Sequence, residues 1–382
     1  MKTEELYELF LQFPEITTDS RTCPEGSMFF ALKGENFDGN LYAMQAIEKG
    51  CALAVVDRPD VIPKGDSRFV IVDDVLKSLQ SLAAYHRKQM NIPVIQITGT
   101  NGKTTTKELI SAVLTEGMNV LFTEGNLNNH IGVPLTLLRI RPEHDIAVIE
   151  TGANHPGEIT LLSNIVQADF GLITNVGRAH LEGFGSFEGV KQTKGELYDD
   201  LYKRGKQIFL NTSDEDLVQM AIGRGFVLGK DALPYIEGVV DAVTPFVEMK
   251  WRSANVQPWR TTITNLVGSY NIANLCAAVT IGLYFGITLE QIDHALSTYY
   301  PTNSRSELRV AGSNRLIIDA YNANPSSMAA ALTNFSLMRD RHKMVILGEM
   351  RELGAESIEE HKKIVEQLRD MELERIWLVG SE

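Results

Sequence analysis

Lys103 and Thr104 follow a glycine turn, Gly99-Thr100-Asn101-Gly102, which itself follows the apolar run Val94-Ile95-Gln96-Ile97-Thr98. A buried strand, a glycine turn and then Lys-Thr opening a helix is the order in which a nucleoside triphosphate is held. Glycines let backbone N–H groups approach phosphate oxygens, and the helix N-terminus adds its dipole. Lys103 can reach the β- and γ-phosphates, and the Thr104 hydroxyl can ligate Mg²⁺. Gly99, Thr100, Asn101, Gly102, Lys103, Thr104 and Thr105 are therefore the candidate nucleotide-binding residues. The usual loop carries Gly at the position that Ile97 occupies here, so the turn is a shortened variant.

Further polar residues stand where strands should end. Glu150 closes Ile146-Ala147-Val148-Ile149, and His180 follows Gly171-Leu172-Ile173-Thr174-Asn175 after a Val-Gly-Arg-Ala turn. In open α/β sheets ligands bind outside the carboxyl ends of the strands, so both residues should converge on the phosphate loop. A carboxylate and an imidazole there could hold Mg²⁺ between nucleotide and substrate. Imidazole is a poor Mg²⁺ ligand, so a hydrogen-bonding role for His180 stands beside the metal one. Glu150 read alone could equally cap the next turn. Lys194, at an expected helix start, reads by itself as a solvated surface lysine.

These residues need an α/β frame, and the pattern supplies one in three regions. Residues 1–90 alternate short strands (27–32, 52–56, 69–72) with helices (41–49, 76–89), and Asn91-Ile92-Pro93 breaks the pattern. Residues 91–300 show βα alternation, with strands at 147–150, 170–175 and 208–211 after the phosphate-loop unit, as in a mostly parallel sheet covered on both faces. Within that region 226–265 reads as an antiparallel β insert. Residues 301–382 are again α/β, with strands at 316–319, 343–347 and 375–379 and helices at 326–339 and 357–371.

Composition excludes several classes of function. A net charge of −13 argues against a general nucleic-acid or membrane-surface binder, so anionic ligands need local positive sites. Cys23, Cys51 and Cys276 are odd in number and scattered, with neither metal-ligand spacing nor a disulfide framework. The acidic start Met1-Lys2-Thr3-Glu4-Glu5 has no signal-peptide pattern, and the apolar stretch 275–289 is too short and glycine-broken to span a membrane. A cytoplasmic protein is expected.

The chain resembles the Mur ligase family, and within it the MurF type that adds D-alanyl-D-alanine. The resemblance rests on motifs spread over nearly the whole sequence. Thr18-Asp19-Ser20-Arg21, Phe29-Phe30-Ala31-Leu32-Lys33-Gly34 and Phe37-Asp38-Gly39 resemble the domain that grips the UDP-sugar. Gly125-Asn126-Leu127-Asn128-Asn129-His130-Ile131-Gly132, Thr174-Asn175-Val176-Gly177-Arg178-Ala179-His180 and Asp319-Ala320-Tyr321-Asn322-Ala323-Asn324-Pro325 are similar to further signatures. Leu347-Gly348-Glu349-Met350-Arg351-Glu352-Leu353-Gly354 matches the C-terminal signature, with Glu349 where the family usually shows Asp; Asn40 stands where it often shows His.

That resemblance implies three units: a small N-terminal α/β UDP-sugar domain (1–90), a central P-loop ATPase domain (91–300) and a Rossmann-like C-terminal domain (301–382). It implies that Ser20, Arg21, Lys33, Asp38, Asn126 and Asn129 contact substrate. It makes Thr104, Glu150, His180 and Lys194 the metal set, with Lys194 carrying CO₂ as a carbamate and two Mg²⁺ ions in play. Asn271 and Asn274 fall on the adenine side, while Arg305 and Asp319 close over ATP. Lys103, Lys194, His180, Glu150 and Arg305 are then the catalytic group. The implied reaction joins UDP-N-acetylmuramoyl-tripeptide to D-alanyl-D-alanine through an acyl-phosphate, on a monomer. Members of the family continue past the point matching Glu382, so the C-terminal unit is expected to be incomplete. A ligase adding the third amino acid, folylpolyglutamate synthase and a catalytically silent UDP-sugar or ATP binder stay open as alternatives. The Thr-Asp-Ser-Arg segment argues against the folate enzyme, which has no UDP-sugar to hold.

Overall fold

The centre of the structure is a six-stranded parallel sheet whose strand order runs Ala232–Pro234, Gln207–Leu210, Phe170–Ile173, Val94–Thr98, Ile146–Glu150, Val120–Phe122. Every residue of Val94–Thr98 is buried, as expected of a strand covered on both faces. From there the chain steps outward to Val120–Phe122, returns to Ile146–Glu150, and then crosses to Phe170–Ile173 on the far side. The switch point therefore falls at the carboxyl end of Val94–Thr98, where the phosphate loop begins. The computed structural model describes the whole chain apart from Thr244, Ala254, Asn255, Arg341 and Glu382 and the side chains of Val256 and Gln257.

The loop's helix, Lys103–Thr115, buries Leu109, Ile110, Val113 and Leu114 against Leu275, Ala278, Val279 and Ile281 of helix Ile272–Tyr284. This apolar contact anchors the loop from below. The antiparallel insert is present as Glu237–Val243, Phe246–Ser253 and Val256–Val267. It starts later than expected, because Ala232–Pro234 pairs in parallel with Ile208–Leu210 and so belongs to the central sheet. Thr244, Ala254 and Asn255, inside the expected insert, lie outside the described residues. Neither Ala232–Pro234 nor Val120–Phe122 was expected as a strand; three residues at a sheet edge are too few to display a period.

The first region forms a four-stranded parallel sheet in the order Ile16–Thr17, Met28–Phe30, Leu53–Val56, Phe69–Ile71. Helix Val75–Gln89 carries the chain onward, capped where the Asp74 carboxylate accepts the Lys77 N–H at 2.9 Å. Its far end is pinned to the central unit. Arg87 donates to Asp169 at 2.8 Å and to the Val166 carbonyl at 3.2 Å. In the third region the strand expected at 316–319 is present as Asn314–Ile318. It pairs antiparallel, as a hairpin, with Glu307–Ala311, a strand the sequence reading did not include. The tight turn at Gly312, with φ 60°, closes it. The parallel pair is Met344–Gly348 with Arg375–Val379, flanked by helices Pro325–Leu337 and Ser357–Arg369.

His86, 2% exposed, bridges the regions, with Nδ1 at 3.2 Å from the Tyr7 hydroxyl and Nε2 at 2.9 Å from the Ile140 carbonyl. Burial holds its imidazole below the ordinary histidine value, and the Ile140 carbonyl only partly opposes this. Because the folded-state value is depressed, the unfolded chain takes up the proton first. The contribution to stability is thus present above about pH 6.5 and is lost as pH falls below that. Thermal unfolding followed from pH 7.5 to 5 should show a falling midpoint that flattens in His86→Gln.

Candidate active site

Two glycines shape the loop. Gly99 has φ 143°, and a Cβ there would lie 2.0 Å from the Thr174 hydroxyl. Gly102 has φ 78°, and its Cβ would meet the Asn274 amide oxygen at 2.9 Å. Asn101 between them is held from three directions. Its N–H donates to the Asn175 side chain at 3.0 Å. Its carbonyl accepts from Thr174 Oγ1 at 2.6 Å and from Asn175 Nδ2 at 3.0 Å. Its side-chain oxygen accepts from Asn324 Nδ2 at 2.7 Å. Lys103 is folded back over the loop, donating to the Gly99 and Thr100 carbonyls at 2.8 and 2.9 Å. Burial lowers its ammonium to about 8, with Glu150 opposing the shift and Arg305 adding to it. An amine in that position gains from an incoming phosphate.

Glu150 is 1% exposed at the end of its strand. Its Oε1 accepts from Asn128 Nδ2 at 2.7 Å and from the Thr104 hydroxyl at 3.2 Å. Its Oε2 is buried without a partner. An orphaned carboxylate oxygen beside a threonine hydroxyl suits a hard cation. Among the described residues no three His, Cys, Asp or Glu side chains gather as a ready-made metal cluster. Mg²⁺ takes one or two carboxylates and fills its other positions with water and phosphate oxygens, and Glu150 and Thr104 would supply the protein's share.

His180 sits in the left-handed region, with φ 51°, and its Nδ1 meets the Glu352 carboxylate from the third region. Burial pushes its imidazole below the ordinary value, and Glu352 resists this. Lys194 overturns its surface reading. It lies on helix Phe187–Lys203, capped by Ser186, and is 2% exposed. Its Nζ donates to the Ala153 carbonyl at 3.2 Å and stands 5.2 Å from the Phe184 ring centroid. Burial, reinforced by the Lys103 charge, lowers its ammonium well below the ordinary lysine value.

A cavity of about 710 Å³ joins these groups. Lys103, Glu150, His180 and Lys194 line it, together with the loop from Gly99 to Thr105. From the third region Arg305 and Asp319 reach the same space, and the Arg305 guanidinium lies 3.7 Å from the Tyr321 ring centroid. Asn271 and Asn274 line it as well, but their amides also work internally. Asn274 accepts the Thr106 hydroxyl at 2.9 Å and donates to Asn271 at 2.9 Å, which bolts the loop helix to helix Ile272–Tyr284. Asn129 lines the cavity while its side-chain oxygen accepts the Gly132 N–H at 2.8 Å.

The remaining substrate candidates do not line that cavity. Asn126 lies outside it on the same loop. Ser20, Arg21, Lys33 and Asp38 are in the first region, where Arg21 pairs with Asp19, Lys33 with Asp57, and Asp38 with Arg58. Sequence reasoning singled out neither Asn128, Asn175 nor Asn324. Asn324 carried a detectable signal, since an Asn before Pro325 is a helix cap, and its side chain accepts the Ser327 N–H at 2.9 Å. Asn128 and Asn175 carried only their place in motifs.

Fold and site together are those of an α/β protein with a glycine turn and Lys-Thr at the switch point of a parallel sheet, an arrangement suited to a nucleoside triphosphate. Comparison with known proteins narrows the class. Residues 13–99 match the family described as Mur ligase family, catalytic domain; residues 97–282 match the Mur ligase middle domain and residues 304–382 the Mur ligase glutamate ligase domain. The chain belongs to the Mur ligase family, and its three-domain α/β architecture is that of the family. It is 37% identical over 377 residues to the UDP-N-acetylmuramoyl-tripeptide–D-alanyl-D-alanine ligase of Escherichia coli K12, covering 96% of this chain and 81% of that protein. The Bacillus subtilis 168 protein of the same name is 36% identical over 373 residues, covering 96% and 80%. A crystal structure of MurF from Acinetobacter baumannii superposes with a TM-score of 0.88 at 31% identity, covering 100% of this chain and 86% of that one.

Gly99→Ala should lower affinity for a fluorescent ADP analogue by tenfold or more, because the added methyl collides with Thr174 and the backbone angle is closed to alanine. An unchanged affinity would mean that the loop is not the phosphate cradle.

Proposed function

We propose that this chain is an ATP-dependent ligase that joins D-alanyl-D-alanine to UDP-N-acetylmuramoyl-tripeptide in peptidoglycan precursor synthesis. The observation that carries the reading is one cavity in which a phosphate loop, an orphaned carboxylate oxygen, a buried lysine and an arginine from another region meet. The UDP-N-acetylmuramoyl-tripeptide–D-alanyl-D-alanine ligases of E. coli and B. subtilis, each matched over most of its length, support the choice of substrates.

The terminal carboxylate of the tripeptide attacks the γ-phosphorus of ATP; a P–O bond forms, the bond to ADP breaks, and an acyl-phosphate results. The free amine of D-alanyl-D-alanine then attacks the acyl carbon, inorganic phosphate leaves, and the amine proton passes to solvent. Lys103 swings from the Gly99 and Thr100 carbonyls onto the phosphates, and Arg305 neutralises the transferring group. Thr104 and Glu150, with His180, would hold Mg²⁺, which screens phosphate charge when bound. Arg305, Asp319 and Tyr321 cover the reacting atoms and exclude the water that would hydrolyse the acyl-phosphate.

Lys194 fits the carbamate role. Burial and the Lys103 charge lower its ammonium well below the ordinary lysine value, which favours the free amine that CO₂ needs; a carbamate formed there with loss of one proton would supply an anionic ligand for a second Mg²⁺. Residues 1–90, 91–300 and 301–382 act as the UDP-sugar, ATP and C-terminal ligase units. Ser20, Arg21, Lys33 and Asp38, with Asn126 and Asn129, hold the nucleotide-sugar substrate. The enzyme works as a cytoplasmic monomer.

The deciding assay is phosphate release from ATP, Mg²⁺ and UDP-N-acetylmuramoyl-tripeptide, with and without D-alanyl-D-alanine. Release that requires the dipeptide supports the reading; indifference to it removes it. Lys103→Ala should reduce turnover by at least about 10³-fold while leaving binding of the UDP substrate nearly intact, and equal loss of both would place ATP elsewhere. Lys194→Ala should be inactive and partly restored by a short carboxylic acid. Full activity without additive would take Lys194 out of the chemistry.

A further inference from the structure

We propose that Glu352 is the positioning residue for His180, so that seating of the third region completes a metal site whose ligands lie in the central region. The inference rests on the ligase reading only in naming the metal site; the contact itself is independent of it.

His180 and Glu352 approach from separate units. His180 stands between strand Phe170–Ile173 and the short helix Leu181–Phe184, and Glu352 between strand Met344–Gly348 and helix Ser357–Arg369. Both are non-glycine residues with positive φ, 51° and 62°. L-residues hold that conformation only where the surroundings impose it. Here the surroundings are each other's segment. The Glu182 N–H donates to the Glu352 carbonyl at 3.3 Å. Two residues before His180, the Arg178 N–H donates to the Ser326 hydroxyl at 3.0 Å, and its guanidinium reaches Glu356 at 2.9 Å and Glu360 at 3.4 Å. The clasp fixes the two backbones, and the turned-out side chains meet as Nδ1 to carboxylate.

A carboxylate can only accept, so the imidazole proton must sit on Nδ1. Nε2 is then the nitrogen with a free lone pair, and His180 lines the cavity that holds Lys103 and Glu150. A carboxylate behind a ligating imidazole sets its tautomer and raises its basicity. In this protein the carboxylate comes from a different unit than the imidazole. Metal affinity is thereby tied to the position of the third region, and by linkage a bound metal favours the seated position.

The test uses full-length protein labelled with ¹⁵N-histidine, with the His180 resonances identified by their loss in His180→Gln. The metal-free wild type should show His180 protonated on Nδ1. Glu352→Ala should shift it toward a mixture of tautomers and weaken Mn²⁺ binding, read by electron paramagnetic resonance in the presence of ADP, by about tenfold or more. Glu352→Gln keeps an oxygen acceptor and should restore part of both. Glu356→Gln removes one of the two carboxylates that Arg178 reaches and leaves the Glu352–His180 contact in place; the tautomer should stay at its wild-type value, and Mn²⁺ binding should weaken by less than in Glu352→Ala. The proposal is overturned if Glu352→Ala leaves tautomer and Mn²⁺ affinity unchanged, or if Glu356→Gln shifts the tautomer as far as Glu352→Ala does. The tautomer is read without any substrate, so failure of the ligase assay would not be mistaken for failure of this contact.

Discussion

The structure around the site depends on keeping the backbone of Thr100-Asn101-Gly102 open around a space for phosphate. The N–H groups of Thr100 and Asn101 both donate to Asn175, to its carbonyl and to its side-chain oxygen, each at 3.0 Å. Asn101 is held by Thr174, Asn175 and Asn324 together. Two of those partners come from the adjacent strand's end and one from the residue that caps a third-region helix. Below, Asn274 ties Thr106 and Asn271 together, and the apolar contact of Leu109, Ile110 and Val113 with the helix beneath holds the loop's own helix in place. The loop is thus a junction between units, and disturbing any one of them reaches its backbone.

The polar groups around that junction share an incomplete state. Glu150 has one satisfied and one orphaned oxygen. Lys103 binds its own loop's carbonyls, and Lys194 is buried with a single backbone carbonyl as acceptor among the described residues. Each arrangement costs desolvation free energy that a ligand would return. Lys103 and Arg305 share the cavity with the carboxylates Glu150, Glu158 and Asp319, in a chain whose net charge is −13. Binding of an anionic ligand there therefore rests on where the individual cations stand and not on a broad positive field.

How much of this was legible in the sequence depends on how local each feature is. The phosphate loop is readable because turn, lysine and helix start are consecutive residues and the strand before them is uniformly apolar. Glu150 and His180 are readable as strand-end residues, since the end of a strand is itself a local feature. Lys194 is not: seven residues into a helix of mixed charge, it has the look of a solvated side chain. Its Nζ meets the Ala153 carbonyl, 41 residues away in sequence, and the Phe184 ring at the end of the preceding short helix. The hairpin 307–318 was half legible. Its second strand shows the apolar pattern, whereas Glu307-Leu308-Arg309-Val310-Ala311 carries charges that suit an exposed strand and mimic a loop.

By itself the sequence determined the order of elements, the phosphate loop, the positions of the strand-end carboxylate and imidazole, and the family resemblance carried by its motifs. Each is encoded by neighbours within a turn or a strand, where steric preference and hydrophobic period act without the rest of the chain. Only the tertiary structure decided which side chains share a solvent-poor space. It left Glu150 Oε2 unpartnered, made Lys194 a weakly held ammonium, joined Asn101 to Asn324 and brought Glu352 to His180. Desolvation and charge–charge effects depend on distance in space and on the surrounding dielectric, and neither is a property of spacing along the chain.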